Sequence, residues 1–165
     1  MRLFYIRRLS DKVSPYIVSG KSILTKSKTL AAIKEAKEID QANATLATLK
    51  GSTSQKFVER FIGKAKLTTT KDYDEAVQLV LDDKVNAMVA DFPICALTIL
   101  RHPDAGLVTL AQPLTIEPIG MALPPNDPQF LNMVENYLSA LQLSGVLTIL
   151  EQKWFQDGAW LIQLP

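Results

Sequence analysis

The chain is poor in the side chains from which most catalytic and metal sites are built. Its 165 residues include one cysteine, Cys95, and one histidine, His102. A single cysteine excludes an internal disulfide and a cysteine-rich zinc site, and leaves the redox compartment open. A histidine metal cage or a Ser-His-Asp triad would have to rest on His102, which lies in a turn with Pro103 and Asp104 and reads as a solvated loop histidine. Cys95 reads as a packed thiol rather than a nucleophile, because no histidine is near it in sequence. An excess of charge is also missing. Lys and Arg number 18, Asp and Glu 17, for a net charge of +1, with the signs mixed along the chain. That is not the basic balance of a general nucleic-acid binder, so no nucleic-acid partner is expected. No apolar run approaches the roughly 18 to 20 residues that span a bilayer. The apolar stretch Leu3–Ile6 is too short for a secretion signal and is followed by Arg7 and Arg8. Nothing calls for a metal or a cofactor.

What remains is an ordinary globular composition, 47% hydrophobic and 21% charged, enough for one domain or two small lobes. Residues 13–26 read as extended: Ser14–Pro15 is biased away from helix, Gly20 marks a bend, and Ser22–Thr25 forms a short strand. Residues 29–42, rich in Ala, Lys and Glu, predict a helix that Thr29 could cap. A regular alternation follows. Ala44–Leu49 is a strand, and Phe57, Val58, Phe61 and Ile62 recur at helical spacing until Gly63. Ala65–Thr69 is a strand. Asp72 and Glu75 make a capping box for a helix carrying Ala76, Val77, Val80 and Leu81, whose polar end is Asp82-Asp83-Lys84. Val85–Ala90 is a third strand of the series, Pro93 suits the first turn of a helix running to about Arg101, and Leu107–Leu110 is a fourth strand.

That order implies right-handed crossovers and an α/β fold: an open, mainly parallel sheet flanked by helices. Ile119–Leu123 is a further strand. An amphipathic helix follows, with Phe130, Leu131, Val134, Tyr137, Leu138 and Leu141 as its buried stripe. Gly145 breaks it, Val146–Phe155 forms a final helix, and Asp157-Gly158 turns the chain toward Trp160-Leu161-Ile162. Trp154 and Trp160 read as core or interface anchors.

Ligands of open parallel α/β sheets bind beyond the carboxyl ends of the strands. Two such ends are well equipped here. The first is Lys50-Gly51-Ser52-Thr53-Ser54. Gly51 permits a tight turn and a close approach, while the Ser52 and Thr53 hydroxyls and the free N–H groups of the first helical turn suit a carboxylate or phosphate. An ordinary helix N-cap is the plainer reading of the same residues. The second glycine and the Gly-Lys-Ser/Thr ending of a P-loop are absent. The second end is Asp91, which could accept from a ligand ammonium group or simply start the Pro93 helix. Together, Gly51, Ser52, Thr53 and Asp91 make a candidate zwitterion site, one end for carboxylate and the other for ammonium.

These residues carry a resemblance. LATLKGSTSQKF and AVQLVLDDKVNAMVADFP resemble the second lobe of bacterial extracellular solute-binding proteins, in particular the polar amino-acid family of ABC importers. RLSDKVSPYIVSGKSILTKS is similar to that family's crossing from lobe one to lobe two. IGMALPPNDPQFLNMVENYLSALQLSGVLTILEQKWF is similar to its return segment and C-terminal helices. The resemblance covers nearly the whole chain. It implies a type II periplasmic binding protein in which Thr53, with Ser52 and Gly51, holds a ligand α-carboxylate and Asp91 its α-ammonium. It also implies hinge crossings near Tyr16–Ser19 and Glu117–Ile119, closure of two lobes without chemistry, partnership with ABC transporter membrane subunits, and a periplasmic location. On this reading residues 1–19 end lobe one and make the first crossing, 20–115 are the complete second lobe, and 116–165 are the second crossing and the C-terminal part of lobe one.

The family's first lobe, with its carboxylate-clamping arginine and signal peptide, has no counterpart here. Arg7 and Arg8 do not match the clamp. A truncated protein with weak binding is therefore expected, together with an uncovered stripe over 119–165 that a homodimer or a segment swap would cover. Two other classes compete. Periplasmic dehydratases of the same fold act on cyclic amino-acid precursors such as arogenate or prephenate, mostly through lobe-one residues. Sensory or regulatory lobes of this fold are joined to membrane kinases or cell-wall lyases. A chain that binds nothing and only associates with another is the remaining reading.

Overall fold

The computed structural model describes residues 11–160. Arg7, Arg8 and the Leu161-Ile162 end of the predicted final turn lie outside the described residues. The centre is a five-stranded mixed sheet. In chain order its strands are β3 (Lys21–Thr25), β4 (Thr45–Leu49), β5 (Lys66–Thr70), β6 (Ala87–Asp91) and β7 (Val108–Thr109). The spatial order is β5-β4-β6-β3-β7. β4 runs parallel to both β5 and β6, whereas β3 lies antiparallel between β6 and β7. Four strands therefore share one direction, and the amino end of β3 sits at the carboxyl edge of the others.

Consecutive residues of the central strands enter opposite cores, as a sheet covered on both faces requires. Ile23, Leu46, Ala87 and Val89 face one core with Val58 of α1 (Thr53–Phe61) and Ile62, its C-cap. Leu24, Ala47, Met88 and Ala90 face the other. That second core also holds Ala76, Val77 and Val80 of α2 (Tyr73–Leu81) and Cys95 of α3 (Phe92–Arg101). The caps are local. Ser52 Oγ accepts from the Gln55 N–H, and Asp72 Oδ1 from the Glu75 N–H. Glu75 reaches back to the Lys71 N–H rather than that of Asp72, so the predicted capping box closes one residue early.

Two further strand pairs flank this layer. β1 (Asp11–Lys12) pairs with β9 (Ala122–Leu123), and β2 (Ile17–Ser19) with β8 (Glu117–Ile119), both antiparallel. The predicted single strand 119–123 is thus two short ones, split at Gly120. A side chain there would meet the Val13 carbonyl oxygen at 2.5 Å.

The helix predicted over 29–42 does not form. Two 3-10 turns, Leu30–Ala32 and Ala36–Glu38, stand there, separated by extended residues Ile33 and Glu35. Helical geometry would place Leu30 and Ile39 about 180° apart on one cylinder. Both pack into the α1-side core, which a single helix could not allow. Glu38 stabilises the break by accepting the N–H groups of Lys34 and Glu35, both at 2.8 Å. Thr29 makes no side-chain cap, and Ser27 Oγ accepts from the Leu30 N–H instead.

The C-terminal part consists of α4 (Pro128–Leu143) and α5 (Val146–Gln152), followed by a wider turn over Lys153–Asp157 that packs on α3. The predicted final helix, Val146–Phe155, is thus helical throughout, α-helical to Gln152 and more widely wound beyond it. Of the six stripe residues only Leu138 is buried, while Tyr137 is 65% exposed. Periodicity identified the apolar face of α4. Among the described residues its main packing partner is α5, which leaves Phe130 and Tyr137 exposed and Leu131, Val134 and Leu141 only half-buried. No helix of the described residues is long and apolar enough to cross a membrane.

Candidate functional site at the carboxyl edge of the sheet

After β4 the chain passes through α1 to β5 on one side. After β6 it passes through α3 to β7 on the other. The β4–β6 boundary is therefore a topological switch point, the position at which open α/β sheets place their ligand crevice beyond the strand ends. The loop 50–52 and the start of α1 lie beyond β4, and Asp91 closes β6. The residue that joins them is Lys21. Register places Lys21 directly opposite Asp91 across the antiparallel β3–β6 pair, so the two side chains rise from the same face.

The Lys21 ammonium donates to Thr53 Oγ1 at 2.8 Å, to Glu117 Oε2 at 3.0 Å and to Asp91 Oδ1. Thr115 completes the cluster. Its Oγ1 accepts from the Lys21 N–H at 2.8 Å and donates to Glu117 Oε1 at 2.9 Å. The lysine side chain is 2% exposed, but both carboxylates keep 40% exposure. Burial by itself, the largest single influence, would lower the Lys21 pKa. The hydrogen bonds to Asp91 and then Glu117, with the attraction of both charges, outweigh it and hold the ammonium above its ordinary value. Burial, and after it the charge of Asp91, raises the pKa of the Tyr73 phenol, which lies in the same field.

The four residues singled out in the sequence have separate fates. Thr53 and Asp91 are brought together, through their common partner Lys21. Ser52 is occupied as the N-cap of α1, and the Gly51 N–H donates to Gln55 Oε1 at 2.7 Å. Gly51 holds φ +75°, so it serves the turn by its conformation. The Asp91 side chain makes no cap to α3; its partner is Lys21. Cys95 is fully buried, and burial pushes its thiol up to about 12, offset in part by a hydrogen bond to the Thr109 side chain.

Sequence reasoning missed Lys21, Thr115 and Tyr73, and took Glu117 only as a hinge position. A lysine heading an apolar run was the available signal. A cavity of about 350 Å³ lined by Lys26, Ser27, Asp83 and Asn86 lies at the opposite, amino edge of β6. Its lysine is already paired with Asp83 and the Leu81 carbonyl. Among the described residues no cluster of His, Cys, Asp or Glu could hold a metal ion.

The strand order, with its switch point between β4 and β6, is that of a lobe of the type II periplasmic-binding-protein fold. Amino-acid solute-binding proteins of that fold are among the solved structures the chain is similar to. It is similar to an ancestral cationic amino-acid solute-binding protein, with 31% identity and a TM-score of 0.79 over 91% of this chain and 64% of that one. A protein from Wolinella succinogenes, described as an ABC-transporter binding component and complexed with lysine, is 35% identical. Its TM-score is 0.78 over 92% of this chain and 65% of the other. The cyclohexadienyl dehydratase of Pseudomonas aeruginosa is 27% identical over 86% of this chain. The chain spans 53% of that curated relative's length. No family model matches the chain.

Proposed function

We propose that the chain binds the head group of a small polar amino acid at the β4–β6 crevice and performs no chemistry on it. The observation that carries this reading is the three-way grip of Lys21 on Thr53, Asp91 and Glu117. The grip leaves two half-exposed carboxylates beside a hydroxyl and the amino end of α1. A ligand ammonium would meet the carboxylates. A ligand carboxylate would meet Thr53 and the first-turn N–H groups, where the helix dipole favours negative charge. In a cell the protein would act as the solute-binding component of an ABC importer in the periplasm. Residues 20–115 would form the ligand-bearing lobe, and the paired strands β2 and β8 its two hinge crossings, with closure as a hinge motion. A second copy of the chain would cover the apolar face of α4 and α5.

Calorimetric titration with the twenty amino acids tests this. Saturable binding should weaken about tenfold in Thr53→Ala and about ten- to a hundredfold in Asp91→Asn, the range for losing a neutral and a charged hydrogen bond. Binding that ignores both substitutions would refute the site. The identity to the dehydratase favours a second reading, elimination on a cyclohexadienyl substrate. Turnover of arogenate or prephenate by this chain, abolished in Glu117→Gln or Asp91→Asn, would establish it in place of simple binding.

A further inference from the structure

Lys21 is a cation in a site built for a zwitterion, yet it has nothing left with which to hold an anion. An ammonium carries three N–H donors. Here all three are taken, by Thr53 Oγ1, Asp91 Oδ1 and Glu117 Oε2. Because Thr53 Oγ1 accepts from Lys21, its own hydrogen must donate elsewhere, and among the described residues it has no acceptor. Lys21 thus turns a hydroxyl of either polarity into a donor aimed at an incoming acceptor. It also cancels one of the two carboxylate charges, which leaves the cluster with a net charge of −1. The cluster therefore has one uncompensated negative charge for one ammonium, and a neutral donor for one carboxylate. Ser19 stands opposite Glu117 in the β2–β8 register and is 3% exposed, with a hydroxyl that has no partner among the described residues. It supplies a further neutral polar group at the same edge.

We propose that Lys21 is the specificity-determining residue of this site. It would set the requirement for a ligand that pairs one ammonium with one carboxylate, and act through the polarity of Thr53 and the net charge of the Asp91–Glu117 pair rather than by touching the ligand. The proposal rests on the amino-acid-binding function argued above.

The probes are L-lysine and cadaverine, which share the distal ammonium and differ in the α-carboxylate. If another amino acid binds the wild-type chain best, it and its decarboxylated amine replace them. The full-length wild-type chain should prefer L-lysine at least tenfold. Lys21→Met doubles the uncompensated negative charge and frees the Thr53 hydroxyl to donate to the carboxylates. The preference should fall at least tenfold, to parity or reversal in favour of cadaverine. Glu117→Gln, at a half-exposed position that does not threaten folding, removes the net charge and should move the ratio the other way, by three- to tenfold. In Lys21→Ala, n-propylamine should restore the wild-type ratio and n-propanol should not, because the missing group is a cation and not merely volume.

An unchanged ratio in Lys21→Met and Glu117→Gln overturns the proposal while leaving amino-acid binding in place, as does equal rescue by propanol. If Lys21→Met does not fold, Glu117→Gln and the amine rescue decide the matter. A wild-type chain that binds none of the twenty amino acids overturns the function itself, and this assignment with it.

Discussion

Lys21 shows how much of this molecule is decided by one side chain. A buried ammonium survives only when its N–H groups are satisfied, and here two carboxylates and a hydroxyl do this. Its pKa is raised on folding, so its favourable contribution is complete below the unfolded value and is lost as pH rises through the folded one. The difference in melting temperature between wild type and Lys21→Met should stay level from about pH 6 to 9 and shrink above about pH 10. A difference that shrinks already between pH 7 and 9 would contradict the raised value. Cys95 gives a second test at this scale. With its thiol at about 12 and no exposed surface, roughly one part in 10⁵ is thiolate at pH 7. Iodoacetamide should leave the native chain unlabelled and modify it fully in denaturant. Fast labelling of the folded chain would mean that α3 opens locally.

At the scale of elements, the alternating strands and helices between residues 44 and 110 were legible because each carries its own periodicity and caps. Thr53 and Asp91 were legible for the same reason, since both follow strand ends. Lys21 was not. Its partner Asp91 is 70 residues away, and the pairing depends on β3 entering the sheet antiparallel beside β6. No local pattern reports such a register. The 29–42 segment was misread because Ala, Lys and Glu favour helix only weakly, while burying Ile39 and packing Leu30 against the same core overrides them. Gly20, read only as a bend, has a stricter role. A Cβ there would sit 1.8 Å from the Thr115 carbonyl oxygen and 2.7 Å from Pro113 Cβ. Gly20→Ala must push apart β3 and the segment that delivers Thr115 and Glu117. It should destabilise the fold by about 1–3 kcal/mol, in the range of overpacked cores, and weaken ligand binding as well. Gly51→Ala meets no atom within 4 Å and suffers only its positive φ, so about 1–2 kcal/mol is expected with the site cluster intact. Urea titration of the two variants beside amino-acid titration separates these effects, because only Gly20→Ala should move both readouts.

At the scale of the whole molecule, burial is uneven. The five-stranded sheet is covered on both faces, whereas the α4–α5 hairpin turns much of its apolar surface outward. Met133 is 60% exposed, Tyr137 65%, Ile149 62% and Trp154 43%. Beside them Tyr16, Ile17, Leu147, Leu150, Trp154 and Phe155 line an apolar groove of about 170 Å³. Apolar surface gathered in this way marks an interaction face, because burying it gains about 25 cal/mol per Å² removed from water. Neither Tyr137 nor Ile149 belongs to the Lys21–Thr53–Asp91–Glu117 cluster, so substitutions there test association apart from ligand binding. Sedimentation over a hundredfold range of concentration should show the chain self-associating. Tyr137→Lys combined with Ile149→Lys should shift it to monomer and leave that monomer folded, since neither side chain is buried; the melting temperature should fall only by the part that rises with concentration in the wild type. Amino-acid affinity should stay within twofold of wild type in that variant. A monomer at every concentration would mean that the face is left to a different partner. An affinity that falls with the monomer would mean that the second copy helps to form the site.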